Sequence, residues 1–82
     1  MKSFVLVNVL FDTEKQTIDE IKLIPEVVDV KRVFGPYDII VQIEFDKLET
    51  ARHVIVNKIK HIQSVRSILV LHESNPELRV EA

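Results

Sequence analysis

The sequence lacks cysteine altogether and contains no tryptophan, one glycine and three prolines among 82 residues. Without cysteine there is no disulfide, no thiolate metal site and no cysteine nucleophile, and redox chemistry gives no indication of the cellular compartment. A single glycine also excludes a glycine-rich phosphate-binding loop, which needs several. No apolar run approaches the roughly twenty residues that a membrane-spanning helix requires. A binding or catalytic site in this chain must therefore be built without cysteine and without a glycine-rich loop.

An excess of charge of one sign is also lacking. Eleven basic and thirteen acidic side chains give a formal net charge of −2, and they are scattered along the chain rather than grouped. A protein that binds nucleic acid mainly by electrostatics presents a basic patch or stripe. We therefore expect no direct DNA binding by this chain.

The first apolar stretch, residues 3–11, has about the length of a signal-peptide core. However, Asn8 interrupts it and only one basic residue, Lys2, precedes it. Its high valine content favours a strand that is buried on both faces. We interpret the stretch as part of the fold of a cytoplasmic protein.

Hydrophobic periodicity predicts six elements in one domain, residues 1–73, followed by a C-terminal arm or frayed end, residues 74–82. Valine-rich or alternating runs predict strands at 3–11, 27–34, 37–45 and 65–72, and isoleucines at helical spacing predict helices at 13–23 and from Asp46 to Ile62. Asp12 or Thr13, with Gln16, is the predicted cap of the first helix. Asp46, with Glu49, is the predicted cap of the second.

A faint internal repeat supports this order of elements. Ile21, Ile24, Val27 and Val30 recur at the same spacing as Ile59, Ile62, Val65 and Ile68. A doubled β-α-β unit predicts an α+β fold of the ferredoxin-like type, βαββαβ. In that fold two helices cover one face of a four-stranded antiparallel sheet, and the first and third strands lie in its middle.

The first and last predicted strands carry apolar side chains on both faces. Phe4, Leu6 and Leu10 alternate with Val5, Val7, Val9 and Phe11, and Val65, Leu69 and Leu71 are expected on the face opposite to Ile68 and Val70. Because the helices cover only one sheet face, the other face needs a partner, and a second copy of the chain is the simplest one. We therefore predict a sheet-to-sheet homodimer.

The three histidines do not indicate a metal site. His53 and His61 lie eight residues apart, which is about two helical turns and too far for one set of ligands. Together with His72 they are interpreted as solvent-facing or interface residues. We expect neither a metal nor a cofactor.

The charged residues near the helices have a simple interpretation. The basic residues Lys58, Lys60 and Arg66 either contact a phosphate or belong to a solvated surface, and the interspersed acidic residues favour the surface. The acidic residues near the first helix, which are Asp12, Glu14, Asp19 and Glu20, are interpreted as solubilising charges that also complement the helix dipole.

The only glycine lies in the stretch V-F-G-P-Y-D, residues 33–38, between two predicted strands. Gly35 permits a positive φ, and Pro36 disfavours the right-handed helical conformation at the residue before it. The result is a stiff turn that places the carboxylate of Asp38 at the rim of the sheet. That carboxylate either accepts hydrogen bonds from amides of its own loop or binds the ammonium group of a small molecule.

Three motifs taken together resemble the effector-binding domain, or RAM domain, of the Lrp/AsnC family of feast/famine transcriptional regulators. They are I-P-E-V at 24–27, G-P-Y-D with the following aliphatic residues at 35–41, and I-Q-S-V at 62–65. The resemblance extends from residue 4 to about residue 72. It implies the ferredoxin-like fold, dimers joined through their sheets, and further assembly into octamers of four dimers or larger rings.

The resemblance also implies a small-molecule site, usually for an amino acid, between neighbouring dimers. Asp38 corresponds to the family's aspartate that receives the α-amino group of the ligand. The family tends to have threonines in its last strand, where this chain has aliphatic residues and a single nearby hydroxyl. The implied ligand-binding residues are Phe34, Gly35, Pro36, Tyr37, Asp38 and Ser67.

Full-length members of the family carry an N-terminal helix-turn-helix that this sequence does not show. The resemblance therefore implies a stand-alone module, not an enzyme, that binds an amino acid or related metabolite and modulates transcription through a full-length Lrp/AsnC regulator. Two alternatives remain at this point. One is a ligand-free oligomerisation module, and the other is a small dimeric cofactor-independent monooxygenase, which the uniformly aliphatic helix-facing positions disfavour.

Overall fold

The computed structural model describes residues 1–73, and the predicted C-terminal arm, 74–82, lies outside them. In chain order the elements are β1 (Lys2–Val9), α1 (Glu14–Lys22), β2 (Val27–Arg32), β3 (Ile39–Glu44), α2 (Leu48–His53, continued by the π-type segment Val54–Ile59) and β4 (Val65–His72). The strands form one antiparallel sheet in the order β2-β3-β1-β4. This order confirms the predicted ferredoxin-like fold with β1 and β3 in the middle.

The hydrophobic core lies between one face of the sheet and the two helices. β-branched residues, which favour strands, alternate along the two central strands so that every second side chain points into this layer. The largest fully buried aliphatic side chains are Val5, Val7, Ile21, Ile39, Val41, Ile43, Val54 and Ile59. Burial of one such side chain stabilises a fold by about 1.5–3 kcal/mol, so this layer holds both helices against the sheet.

The start of α1 differs from the prediction. Thr13 is the N-cap residue, but its side chain caps no helix amide. Its hydroxyl instead donates a hydrogen bond to the carbonyl oxygen of Leu10 at 2.7 Å, because the chain turns back on itself there. The predicted capping box with Gln16 is therefore wrong.

The start of α2 differs in the same way. Lys47, not Asp46, precedes the first helical residue, and no side chain caps this helix either. Each helix has one glutamate in its first turn, Glu14 in α1 and Glu49 in α2. A negative charge at this position favours a helix because it complements the partial positive charge of the N-terminus.

The second half of the predicted second helix has a wider turn than expected. Lys60 N–H donates a hydrogen bond to the carbonyl of Ile55, five residues earlier, at 3.0 Å. Val54, the first residue of this segment, is fully buried, while Leu48 at the start of α2 is 39% exposed. Within residues 1–73 no helix has the length and apolar character to cross a membrane.

β4 has the predicted bounds but contains an irregularity near its start. Val65 pairs with Val9, whereas Ser67 pairs with Asn8, so Arg66 is an extra residue without a partner on β1. Such a β-bulge bends the strand and redirects a side chain.

The bulge also changes the faces of β4 from those predicted. The residues that pack toward the core are Val65, Ile68 and Val70. Leu69 and Leu71 lie on the other face of the sheet and are 43% and 49% exposed. The predicted grouping of Val65 with these two leucines is wrong, because the extra residue shifts the alternation by one position.

The sheet face opposite to the helices is apolar in its middle. We name it the open face, and its apolar residues are Phe4, Leu6, Ile40, Leu69 and Leu71. All five are partly or substantially exposed in the single chain. The expectation that β1 and β4 leave apolar side chains on a second face is therefore confirmed for these residues.

Candidate functional site

The loop between β2 and β3 is a tight connection that needs its glycine. Gly35 has a φ of +123°, as predicted, and a hypothetical Cβ at this position would meet no atom within 4 Å. The requirement for glycine is therefore conformational rather than steric. Val33 N–H donates a hydrogen bond to the carbonyl of Asp38 at 3.0 Å and closes the loop. β2 ends two residues earlier than predicted, at Arg32, and β3 begins two residues later, at Ile39, because residues 33–38 form this connection.

Asp38 extends the pairing of β1 with β3 beyond the last regular pair, Val7 with Ile39. Its N–H donates to the carbonyl of Val7 at 3.0 Å, and its Oδ2 accepts a hydrogen bond from the N–H of Val9 at 2.9 Å. The carboxylate thus bonds an amide of β1 rather than an amide of its own loop. Within the described part of the chain only Oδ2 is engaged, which leaves Oδ1 available to a cation.

Two cavities meet at Asp38. The first, of about 520 Å³, lies where the end of β1, the start of α1 and the bulge of β4 come together, and we name it the β1–β4 cavity. The second, of about 230 Å³, lies beside the β2–β3 loop, and we name it the loop cavity. Asn8, Val9, Leu10, Phe11, Glu14, Asp38, Arg66 and Ser67 line the β1–β4 cavity. Glu14, Arg32, Val33, Phe34, Gly35, Tyr37 and Asp38 line the loop cavity.

The residues predicted from sequence are divided between these two cavities. Phe34, Gly35, Tyr37 and Asp38 line the loop cavity, and Asp38 and Ser67 line the β1–β4 cavity. Pro36 lines neither. The hydroxyl oxygen of Ser67 accepts a hydrogen bond from the side-chain amide of Asn8 at 3.2 Å. Asp38 is thus the one residue of the predicted ligand-binding set that lines both cavities.

Three charged residues of the site were not predicted from the sequence, and one of them is Arg32, which lines the loop cavity. Glu14, which we interpreted as a helix-dipole charge, lines both cavities, and Arg66, which we interpreted as a surface charge, lines the β1–β4 cavity. The ion pairs between side chains of residues 1–73 are Lys31 with Asp29 and Lys58 with Glu26, so neither Glu14 nor Arg66 is engaged in one. The available signal for Arg66 was its position as the one charged side chain inside the otherwise largely aliphatic run V-R-S-I-L-V-L.

A closed ring of hydrogen bonds adjoins the β1–β4 cavity at Leu10. Leu10 N–H donates to the carbonyl of Ser64, and the hydroxyl of Thr13 donates to the carbonyl of Leu10. The buried hydroxyl of Thr17 donates to the carbonyl of Thr13 and lies 2.5 Å from the hydroxyl oxygen of Ser64. We name these residues the hydroxyl ring. It fixes the end of β1, the start of α1 and the segment before β4 relative to one another.

Two phenylalanines are fully exposed, one beside each cavity. Phe11 belongs to the lining of the β1–β4 cavity and Phe34 to that of the loop cavity, and both are at least 96% exposed. Leu10, beside the first cavity, is also half-exposed. These residues give the site an apolar rim.

Comparison with known proteins identifies a family whose model matches nearly the whole chain. The family model of the Lrp/AsnC ligand binding domain matches residues 2–79. Comparison with curated protein sequences finds no match.

Solved structures with the same fold include regulators of this family. The chain is similar to FFRP-DM1, at 26% identity and a TM-score of 0.82, with 85% of this chain and 93% of that chain covered. It is similar to AsnC of E. coli at 21% identity and a TM-score of 0.83, with 98% and 55% covered.

A third similar structure is that of the transcriptional regulator NMB0573 of Neisseria meningitidis in complex with L-Met. The identity is 14% and the TM-score 0.81, with 92% of this chain and 50% of that chain covered. This chain therefore spans about half the length of AsnC and of NMB0573. The likeness to these two regulators shows the fold, and the match to the family model over nearly the whole chain shows the family. The chain belongs to the Lrp/AsnC ligand-binding domain family.

Proposed function

We propose that this domain binds an amino acid or a closely related metabolite at Asp38 and modulates transcription in association with Lrp/AsnC-type regulators, without catalysing a reaction. The observation that carries the proposal is the position of the Asp38 carboxylate at the junction of two cavities. One oxygen is held by the Val9 amide at 2.9 Å. The carboxylate is thereby fixed in position while its second oxygen is free to accept a hydrogen bond from an ammonium group.

The family and one of the similar structures support an amino acid as the ligand. The family is described as a ligand-binding domain, and the regulator NMB0573 was solved in complex with L-Met. The first cavity, of about 520 Å³, lies within the range of about 300–1,000 Å³ that is usual for small-molecule sites. An amino acid fits this space.

Assembly is the second part of the proposal. We propose that two chains pack through their open faces, because the five apolar side chains of this face are incompletely covered in the single chain. The exposed Phe11 and Phe34 at the rim of the site support contact with a further dimer, as in an octamer of four dimers. A ligand held between dimers favours assembly by mass action, since it binds the assembled form more tightly than the separate dimers.

The interior of the domain supports a binding role rather than an enzymatic one. The layer between helices and sheet is aliphatic, and its buried polar residues within 1–73 are Ser3, Thr17 and Ser64. Their hydroxyls are already hydrogen-bonded, that of Ser3 to His72 and those of Thr17 and Ser64 to each other. A monooxygenase of this fold requires a substrate cavity with a free polar group in this layer.

The decisive experiment replaces Asp38 by asparagine and measures binding of the twenty amino acids by calorimetry. Asparagine retains a carbonyl oxygen for the Val9 amide, so the fold is expected to persist, but it removes the negative charge. A charge-assisted hydrogen bond contributes about 1.5–3 kcal/mol, so we expect at least about tenfold weaker binding of the preferred amino acid in Asp38→Asn. Asp46→Asn is the matched control, because Asp46 is exposed and lines neither cavity.

Equal affinity of wild type and Asp38→Asn would show that Asp38 does not hold the ligand. If no amino acid binds while the oligomer stays intact, the domain is a ligand-free oligomerisation module instead.

A further inference from the structure

We infer that the ligand of this site is an α-amino acid whose side chain carries a second positive charge, and that Arg66 and Glu14 select it. The inference rests on the proposed function, because it assigns the α-amino group of the ligand to Asp38. It adds the class of amino acid and the two residues that recognise its other charged groups.

The charges in the β1–β4 cavity are the first observation. Two carboxylates, those of Glu14 and Asp38, and one guanidinium group, that of Arg66, line this cavity. None of the three takes part in an ion pair between side chains of the described residues. The α-ammonium and α-carboxylate groups of an amino acid neutralise one carboxylate and the guanidinium group. One carboxylate of the cavity then remains without a counter-charge.

The position of Arg66 indicates that it binds the α-carboxylate. As the extra residue of the β4 bulge, Arg66 has no partner on β1, and β-bulges beside binding sites redirect side chains in this way. A guanidinium group presents two parallel N–H donors that match a carboxylate. Arg66 therefore replaces the hydroxyl groups that this aliphatic strand lacks.

The position of Glu14 indicates that it meets the side chain of the ligand. Glu14 is partly buried in the first turn of α1 and lines both cavities, so a ligand side chain in either cavity lies near it. A partly buried carboxylate is destabilised when a neutral group displaces its water, and it is stabilised by an ammonium or guanidinium group. In the β1–β4 cavity, which Arg32 does not line, Glu14 repels an acidic ligand side chain.

The first test compares lysine with norleucine, which has a similar chain length but lacks the terminal ammonium group. We expect wild type to bind lysine at least about tenfold more tightly, as for a charge-assisted hydrogen bond. In Glu14→Gln this ratio should fall to near one, because lysine loses its charged partner while norleucine no longer displaces water from a carboxylate and binds as tightly as before or more tightly. Glu49→Gln is the matched control, since Glu49 has the corresponding first-turn position in α2.

The second test compares lysine with cadaverine, which lacks the α-carboxylate. We expect wild type to prefer lysine at least about tenfold, and we expect Arg66→Gln to lose most of that preference because the carboxylate has lost its partner. Arg52→Gln is the control, since Arg52 is exposed on α2 and lines neither cavity. Thermal unfolding of each variant verifies that the fold is intact.

The outcomes separate this inference from the proposed function. If norleucine, methionine or glutamate binds wild type as tightly as lysine does, and this binding still depends on Asp38, the inference is wrong and the proposed function stands. If no amino acid binds wild type, the proposed function fails and the inference fails with it. An unchanged ratio of lysine to norleucine in Glu14→Gln would exclude Glu14 as the selecting residue.

Discussion

Single residues at the β2–β3 loop have separate tasks that the structure distinguishes. Gly35 provides the backbone conformation of the loop, and Asp38 joins the loop to β1 through the N–H of Val9. Because Asp38 is anchored on one side, its free oxygen is held at a defined place between the cavities. The ligand that we propose for this site would therefore meet a carboxylate whose orientation is set before binding.

At Gly35 we predict that substitution by alanine destabilises the fold without a steric clash. No atom lies within 4 Å of the added Cβ, but a φ of +123° is strained for any residue with a side chain, at a cost of about 1–3 kcal/mol. Urea denaturation measures the loss. Pro36→Ala is the control, since it mainly adds freedom to the unfolded chain and costs about 0.4–1 kcal/mol. A Gly35→Ala variant as stable as wild type would show that the loop adopts another conformation at no cost.

The sequence predicts the conformation and position of the loop residues better than it predicts which groups they hydrogen-bond. The positive φ at Gly35 and the location of Asp38 at the sheet rim follow from local rules, which depend only on neighbouring residues. The bond from Val9 to Asp38 depends on the register of β1 with β3, in which Val7 lies opposite Ile39. No local pattern determines that register.

Elements depart from ideal periodicity at three places within residues 1–73: the wider turns of α2, the bulge of β4 and a register shift at the start of β2. The π-type segment widens the last turns of α2, and the bulge of β4 places Val65 on the core face. Rules for sequence patterns assume a constant rotation per residue, so they assign Val65 in β4 to the wrong face, whereas the predicted core residues Ile55 and Ile59 of the second helix are indeed buried. The number and type of elements were nevertheless predicted correctly, because the remaining residues follow regular periods.

For β4 we predict that deletion of Arg66 is tolerated and deletion of Leu69 is not. Without Arg66, Val65 still lies opposite Val9 and Ser67 opposite Asn8, so no side chain changes face. Without Leu69, one part of the strand must present core residues to the open face, which is expected to cost about 2–5 kcal/mol. The free energy of unfolding in urea measures both. Equal stability of the two deletion variants would contradict the role given to the bulge.

The open face is uncovered in the single chain. It is apolar because β1 and β4 carry apolar residues on both of their sides. A lone domain of this size has a small core, and pairing two open faces removes further apolar surface from water. The two-sided pattern was visible in the sequence. The exposure of Leu69 and Leu71, at 43% and 49%, identifies which side chains remain available for a partner.

For the assembly of the whole molecule we predict that Leu69→Lys produces a folded monomer. Leu69 is substantially exposed in the single chain, so lysine does not disturb the core, whereas a charge buried between two open faces opposes association. Sedimentation at micromolar concentration measures the mass, with 9.5 kDa for the monomer. Val56→Lys is the control, because Val56 is 51% exposed on the helical side. If Leu69→Lys sediments as wild type does, the open face is not the dimer interface.

The hydroxyl ring limits the length of the ligand side chain that the proposed site can accept. It ties the start of α1, which carries Glu14, to the segment that leads into β4, which carries Arg66. The distance between the two backbone segments that carry these opposite charges is thereby fixed. A binding site whose residues cannot move loses little conformational entropy when a ligand binds. In the proposed site we therefore expect a ligand side chain that is one methylene too short to bind more weakly, because the site cannot close around it.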